Sequence, residues 1–252
     1  MSDTILYSQI DHVARLTLNN PSRHNSLGGE ELRAIQEQLR RLASNDEVRV
    51  LVLTGAGEKT FCAGAALDQL GSGEISGDMF QQTTNQIAAL DIPTICALNG
   101  NVFGGGVELA LSCDFRLGIE GTRMRVPAAA IGLCYPISGI ERFVERLGLN
   151  VAKRLLVAAE TFDSEAMLET GFLDHLLLPS QLMQKTNELA EQIAALAPLS
   201  VAAMKGILQE AAKGEIDREV ATALYERCAN SEDLKEGFAA QKAKRTPVFT
   251  GR

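Results

Sequence analysis

The chain has 252 residues, 46% of them hydrophobic, with few aromatics and no tryptophan. This is the profile of an α/β protein with a substantial buried core, and it excludes a disordered or disulfide-stapled chain. A net charge of −8 argues against a general nucleic-acid or anionic-membrane surface.

In chain order, "HVARLTLN" alternates as a strand does. Leu32, Ile35, Leu39 and Leu42 recur at helical spacing in "EELRAIQEQLRRLA", which stops at Ser44-Asn45-Asp46. "VRVLVLTG" is a nearly continuous apolar run, which predicts a strand buried on both faces. A glycine-rich passage, a helix around 79–90, the strand "PTICALNG" and a glycine-headed helix follow, then the short strands "DFRLGI" and "RMRVP". The unit strand–strand–helix therefore recurs about three times, a loose structural repeat without strict sequence periodicity.

After about residue 138 the character changes. "IERFVERLG", "VAKRLLVAAE" and "SEAMLETG" read as short helices and "FLDHLLLP" as a strand. From 181 onward the chain is almost wholly helical, with apolar surface at Leu189, Ile193, Leu196, Met204, Ile207, Leu208 and Leu224. Such a tail must cover the core or a neighbouring subunit. The expected division is a core over 1–195 and a helical C-terminal region over 196–252 that serves oligomerisation and covers the active site.

Five widely spaced cysteines without a C-x-x-C read as reduced residues in a reducing compartment, and the three histidines show no metal-ligand spacing. The start "MSDTILYSQI" lacks a basic n-region and an apolar h-region, and no run approaches a membrane span. The expectation is a cytoplasmic protein with no metal and no membrane or nucleic-acid partner.

"NGNVFGGGVELALSCD" places Gly104, Gly105 and Gly106 at the start of a helix. The first N–H groups of a helix have no partner within it and carry the positive end of its dipole. Bare Cα atoms let a ligand oxygen approach them, as an oxyanion or phosphate site requires. Glu108 follows on the same helical face, where a carboxylate is placed for proton transfer beside a polarised carbonyl. Tight helix–sheet packing with a dipole-favoured acid explains the same residues. "FCAGAALDQL" repeats the design with Ala63-Gly64-Ala65, so two backbone donors converge on one oxygen in the functional reading. A phosphate-binding loop at "GAGEKT" fails because Glu58 intervenes between glycine and lysine, and a dinucleotide fingerprint lacks its third glycine.

With "NNPSRHNSL" near the N-terminus and "SEDLKEGFAAQKAKRTPVF" near the C-terminus, these motifs resemble the crotonase, or enoyl-CoA hydratase/isomerase, superfamily along essentially the whole chain. The resemblance implies an α/β fold, a crotonase-like spiral of repeated β-β-α units with a helical C-terminal region, assembled as a homotrimer or homohexamer. It implies a coenzyme A thioester as substrate and no separate cofactor, coenzyme A being part of the substrate. The N–H groups of Ala65 and Gly105 would hold the thioester oxygen, and Arg23, His24, Ala63, Ala65, Ala66 and Leu67 match positions lining coenzyme A. Lys244 matches a basic residue that reaches the phosphates, in some members from a neighbouring subunit; a solvated face of the last helix explains it equally.

The pattern breaks at the second catalytic glutamate. Family hydratases carry it in a P-E motif, where this chain has Pro127-Ala128, and a methyl group neither delivers nor accepts a proton. Tyr135, in "GLCYPISGIERF", stands where many hydratases have an apolar residue or proline and resembles a tyrosine of the superfamily's methylmalonyl-CoA decarboxylases. That group has a histidine where Ala65 stands, and Tyr135 as a packing residue is the plainer alternative. Glu141 reads as solvent-facing beside Arg142. The resulting expectation is hydratase/isomerase-type chemistry with Glu108 as acid/base. The alternatives are decarboxylation or thioester hydrolysis using Tyr135, and a catalytically decayed acyl-CoA-binding protein.

Overall fold

The structure, a computed structural model, describes residues 3–252. An antiparallel hairpin opens the chain: β1 (Ile5–Ile10) pairs with β2 (Val13–Leu18) through a turn at Asp11 and His12. The alternation of β2 buries Ala14, Leu16 and Leu18. β1 escaped the sequence reading because most of its side chains are exposed and "ILYSQI" has no clean period. Helix α1 (Gly29–Leu42) buries the Leu32, Ile35, Leu39 and Leu42 stripe, and the Glu31 carboxylate accepts from the Gly28 N–H at its N-terminus.

Three strand pairs follow, each dividing its members between two sheets. β3 (Val50–Gly55) precedes β4 (Thr60–Cys62), with α2 (Leu67–Ser72) and α3 (Gly77–Ala88) after them. β5 (Thr94–Leu98) precedes β6 (Asn101–Phe103) and α4 (Gly105–Leu111), the glycine-headed helix. β7 (Phe115–Ile119) precedes β8 (Arg123–Arg125) and α5 (Ile137–Leu156), which breaks at Gly148 and so accounts for two helices in the sequence pattern. β9 (Thr161–Asp163), α6 (Ser164–Glu169) and β10 (His175–Leu177) complete the core. The larger sheet runs β1-β2-β3-β5-β7-β10 and the smaller β4-β6-β8-β9, with parallel pairing between the consecutive units. The repeated β-β-α spiral is thus present.

Alternation along the strands of the larger sheet gives it two buried faces. Leu51, Leu53, Cys96 and Leu98 join Phe61, Cys62, Val102 and Met124 of the smaller sheet in the main core. Val50, Val52, Ile95, Ala97 and Leu117 face α7 (Leu182–Ala194) through Leu182, Ala190 and Ile193. Each β3-type run reads as continuously apolar because both faces are covered.

Three helices end the chain: α8 (Pro198–Lys213), α9 (Arg218–Ala229) and α10 (Glu232–Ala243). α8 is latched by Lys205, whose ammonium donates to the Asp114 carboxylate (2.7 Å) and the Ile92 carbonyl (2.8 Å). The terminal segment returns to the core through Arg49, which donates to the Phe249 carbonyl, and through Asp233, which accepts from the Thr250 and Gly251 N–H groups. Ile193 is buried as its place in the apolar stripe requires, whereas Met204 and Leu208 of α8 are exposed. Among the described residues, no single helix is long and apolar enough to cross a membrane.

Asp114 also accepts from the N–H and hydroxyl of Thr94, so its remaining partners do not neutralise it. Lys205→Met therefore leaves an unpaired, mostly buried carboxylate. It is expected to lower stability by about 2–3 kcal/mol, less than for a fully buried pair, as read from the midpoint of urea unfolding.

Candidate active site

β4 and β6 are parallel neighbours, and their chain exits lie side by side. The first exit carries Ala63, Gly64 and Ala65; the second carries Gly104 and the start of α4. The two exits touch backbone to backbone. A Cβ added at Gly64 would lie 2.5 Å from the Gly105 nitrogen and 2.9 Å from the Phe103 carbonyl oxygen, so only glycine fits there. Gly105 packs its bare Cα under the Phe80 ring, and Gly106 packs its own on the Cys62 carbonyl, each with a Cβ clearance of 2.5 Å. Packing and an accessible backbone are therefore served by the same glycines.

The backbone N–H groups of Ala65 and Gly105 lie outside the regular bonds. Gly105 is the first residue of its helix, where no carbonyl precedes it at the right offset. The parallel bridge of Leu27 with Ala65 uses the N–H groups of Leu27 and Ala66, not that of Ala65. The structure brings these two residues to adjoining chain exits, as the sequence motifs require.

Glu108 is 1% exposed. Its Oε1 accepts from Gln81 Nε2 (2.7 Å) and lies 2.9 Å from Thr84 Oγ1, both on the buried face of α3. Arg142 Nε of α5 stands 4.0 Å from the same oxygen. The Tyr135 ring and Glu108 Oε2 both lie against Gly139, and that ring packs edge-on to Phe143. Burial pushes the Glu108 carboxyl above the usual carboxylate range, opposed by Thr84, Gln81, Arg142 and Tyr135. Burial, reinforced by the charge of Glu108, raises the Tyr135 phenol well above its ordinary value. Arg142 is lowered by burial, with Glu108 acting against that shift.

The remaining sequence candidates divide. His24 accompanies Ala63, Lys59, Thr60, Asn101 and Phe103 around a cavity of about 980 Å³, and its Nδ1 lies 3.0 Å from Thr60 Oγ1. Ala66 and Leu67 stand at the start of α2, Ala66 buried and Leu67 exposed. Arg23 is paired with Asp68 at 2.7 Å, both largely in solvent. Lys244 is the exposed left-handed residue closing α10, where its N–H donates to the Gln241 carbonyl; among the described residues, its ammonium makes no ion pair. Ala128 is buried at a turn leading to Tyr135, and residues 128–140 contain no carboxylate.

Glu141 is exposed as expected, and the adjacent Arg142 is buried against the site. The sequence reading passed over Gln81, Thr84 and Lys59. The signal for the first two was two polar residues one turn apart beside Phe80 on an otherwise apolar helix face. Lys59 lay in the "GAGEKT" stretch that had been tested only as a phosphate-binding loop.

Residues 9–252 match the family model described as enoyl-CoA hydratase/isomerase. The chain belongs to the enoyl-CoA hydratase/isomerase family. Similar relatives of this family member include the YngF protein of Bacillus subtilis, 34% identical over 100% of each chain. The carnitinyl-CoA dehydratase of Salmonella typhi is 30% identical, also over 100% of each. Among solved structures, an enoyl-CoA hydratase from Bacillus anthracis superposes with a TM-score of 0.92 at 29% identity, covering 99% of this chain and 100% of that one.

The raised Glu108 carboxyl carries a pH signature of its own. Above the ordinary value of 4.5 the folded protein of this family member holds a proton that the unfolded chain has released. Stability contributed by this group is therefore lost as pH rises from 4.5 through the raised folded value. Glu108→Gln cannot titrate, so the melting temperature of the variant relative to wild type is expected to climb across that window. A difference that stays constant with pH would contradict the raised carboxyl.

Proposed function

We propose that the protein acts on an acyl-CoA thioester through an enolate stabilised by the backbone N–H groups of Ala65 and Gly105, with Glu108 as acid/base. The observation that carries this reading is the buried carboxylate of Glu108, one oxygen pinned by Gln81, on a helix that begins at a free N–H. In this reading the thioester oxygen sits against the two N–H groups, and Glu108 takes a proton from a carbon conjugated to the carbonyl. The electron pair moves onto the oxygen, where each preorganised donor contributes about 2.7–4 kcal/mol to the transition state. Returning the proton to a different carbon shifts the double bond and leaves the enzyme unchanged. For hydration, Glu108 takes a proton from water as its oxygen bonds to the β-carbon, and the same proton goes to the α-carbon. Both routes need only one carboxylate, which fits Ala128 in place of a second glutamate.

His24, Ala63, Ala66 and Leu67, with Arg23 released from its solvent-exposed pairing with Asp68, are the proposed contacts for coenzyme A. An assembly of three or six chains belongs to the same reading, supported by the exposed Leu208, Tyr225 and Phe238 of the C-terminal helices. Lys244 from a neighbouring chain is then the candidate for the phosphates.

A second reading is favoured by the placement of the Tyr135 ring beside Gly139 with Glu108 Oε2. There Tyr135 assists loss of carbon dioxide from a malonyl-type thioester, and Tyr135→Phe would abolish gas release. Assay of an enoyl-CoA by the loss of its conjugated absorbance separates the two. For the first, Glu108→Gln is expected to lower kcat by about 10²–10⁴-fold with KM little changed. Retained turnover would exclude Glu108 as the acid/base.

A further inference from the structure

Helix α5 contributes a cation to the site. Arg142 is 9% exposed, and its Nη2 donates to Asn85 Oδ1 at 2.6 Å. Its Nε is buried, has no hydrogen-bond partner, and stands 4.0 Å from Glu108 Oε1. A buried donor left unused costs free energy, so its placement beside one carboxylate oxygen calls for a reason.

The other partners of that oxygen supply it. Gln81 Nε2 donates to Oε1 and the Ser138 hydroxyl donates to Gln81 Oε1, and a flipped amide would set its carbonyl oxygen against the carboxylate. The Thr84 hydroxyl is shared between Oε1 and the Gln81 carbonyl. Gln81 Nε2, which can only donate, therefore faces Oε1 with the Arg142 cation 4.0 Å away, and a proton added there would displace that hydrogen bond and meet a positive charge. Oε2 has different surroundings. A Cβ built on Gly139 would be 3.1 Å from Oε2 and 2.8 Å from the Tyr135 ring, so the missing side chain of Gly139 leaves Oε2 its room.

We propose that Arg142, with Gln81, is a positioning residue that keeps the proton off Glu108 Oε1, directs it to Oε2 on the Tyr135 side, and sets the pH at which it leaves. This rests on the reading of Glu108 as the proton-transferring group. The charged or titratable groups facing Glu108 are Arg142 from α5 and Tyr135 from the turn before it. Behind Arg142 lie Arg146 and Glu145 of α5 and Cys113 after α4, and Cys62 of β4 acts on Tyr135. Among the described residues, Arg142 is the only cation acting directly on Glu108, and it favours the ionised form against burial. Its removal leaves the proton held to higher pH.

The test follows the Glu108 carboxyl directly by infrared difference spectroscopy of the ligand-free protein, with Glu108→Gln as the blank, beside the pH profile of kcat/KM. Arg142→Met is expected to raise the Glu108 midpoint by about 1–3 pH units, and the acidic limb of the profile moves with it while KM stays nearly constant. Gln81→Met raises the midpoint in the same direction. Arg142→Lys, which keeps a cation, raises it less and stays folded if the methionine variant does not. An unmoved midpoint in the folded variants, even with activity lost, overturns the proposal and leaves Arg142 a packing residue. A midpoint that moves while the kinetic limb stays put supports the positioning role and instead overturns Glu108 as the reacting group.

Discussion

The backbone contact between the exit of β4 and the start of α4 governs the rest of the site. With a Cβ at Gly64 the Gly105 nitrogen would be only 2.5 Å away, so no side chain separates the two segments. That approach sets the distance between the two chain exits and hence between the N–H groups of Ala65 and Gly105. It also fixes where α4 points, because Gly106 rests on the Cys62 carbonyl and Gly105 lies under Phe80. Glu108, less than one turn further on, then has one place to go: inward, between α3 and α5.

Driving a carboxylate inward has a cost that the neighbours offset. Desolvation raises its affinity for a proton, and the surrounding donors lower it again. α3 supplies Gln81 and Thr84 and α5 supplies Arg142, so two helices distant in sequence are committed to one side chain. The polar residues extend outward from the core, Gln81 to the half-buried Ser138 and Arg142 to the exposed Asn85. This explains why α3 interrupts its apolar face with buried glutamine and threonine. The deviation from amphipathic pattern marks where structure yields to chemistry.

Much of the fold was legible in the chain itself. The continuous apolar runs of β3 and β5 announced strands covered on both faces, and the stripe of α1 announced its packing. The glycine-headed helix and Glu108 stood out because glycine there contradicts helix propensity. β1 did not stand out, since an exposed hairpin edge has no period to read. Arg142 carries no site signal in the sequence, because an arginine between a glutamate and a phenylalanine looks like a solvated face until the helix is turned toward its neighbour.

The sequence by itself determined the order of elements, the pair of glycine-relieved chain exits, and the presence of one glutamate where a second is replaced by Ala128. These are local properties: periodicity, missing side chains and residue identity at a fixed offset. Only the tertiary structure decided which groups meet Glu108, because Gln81, Tyr135 and Arg142 reach it from separate segments whose approach depends on packing across the core. Which oxygen of the carboxylate is pinned and which is open is likewise a matter of distances between helices, and no spacing along the chain encodes it.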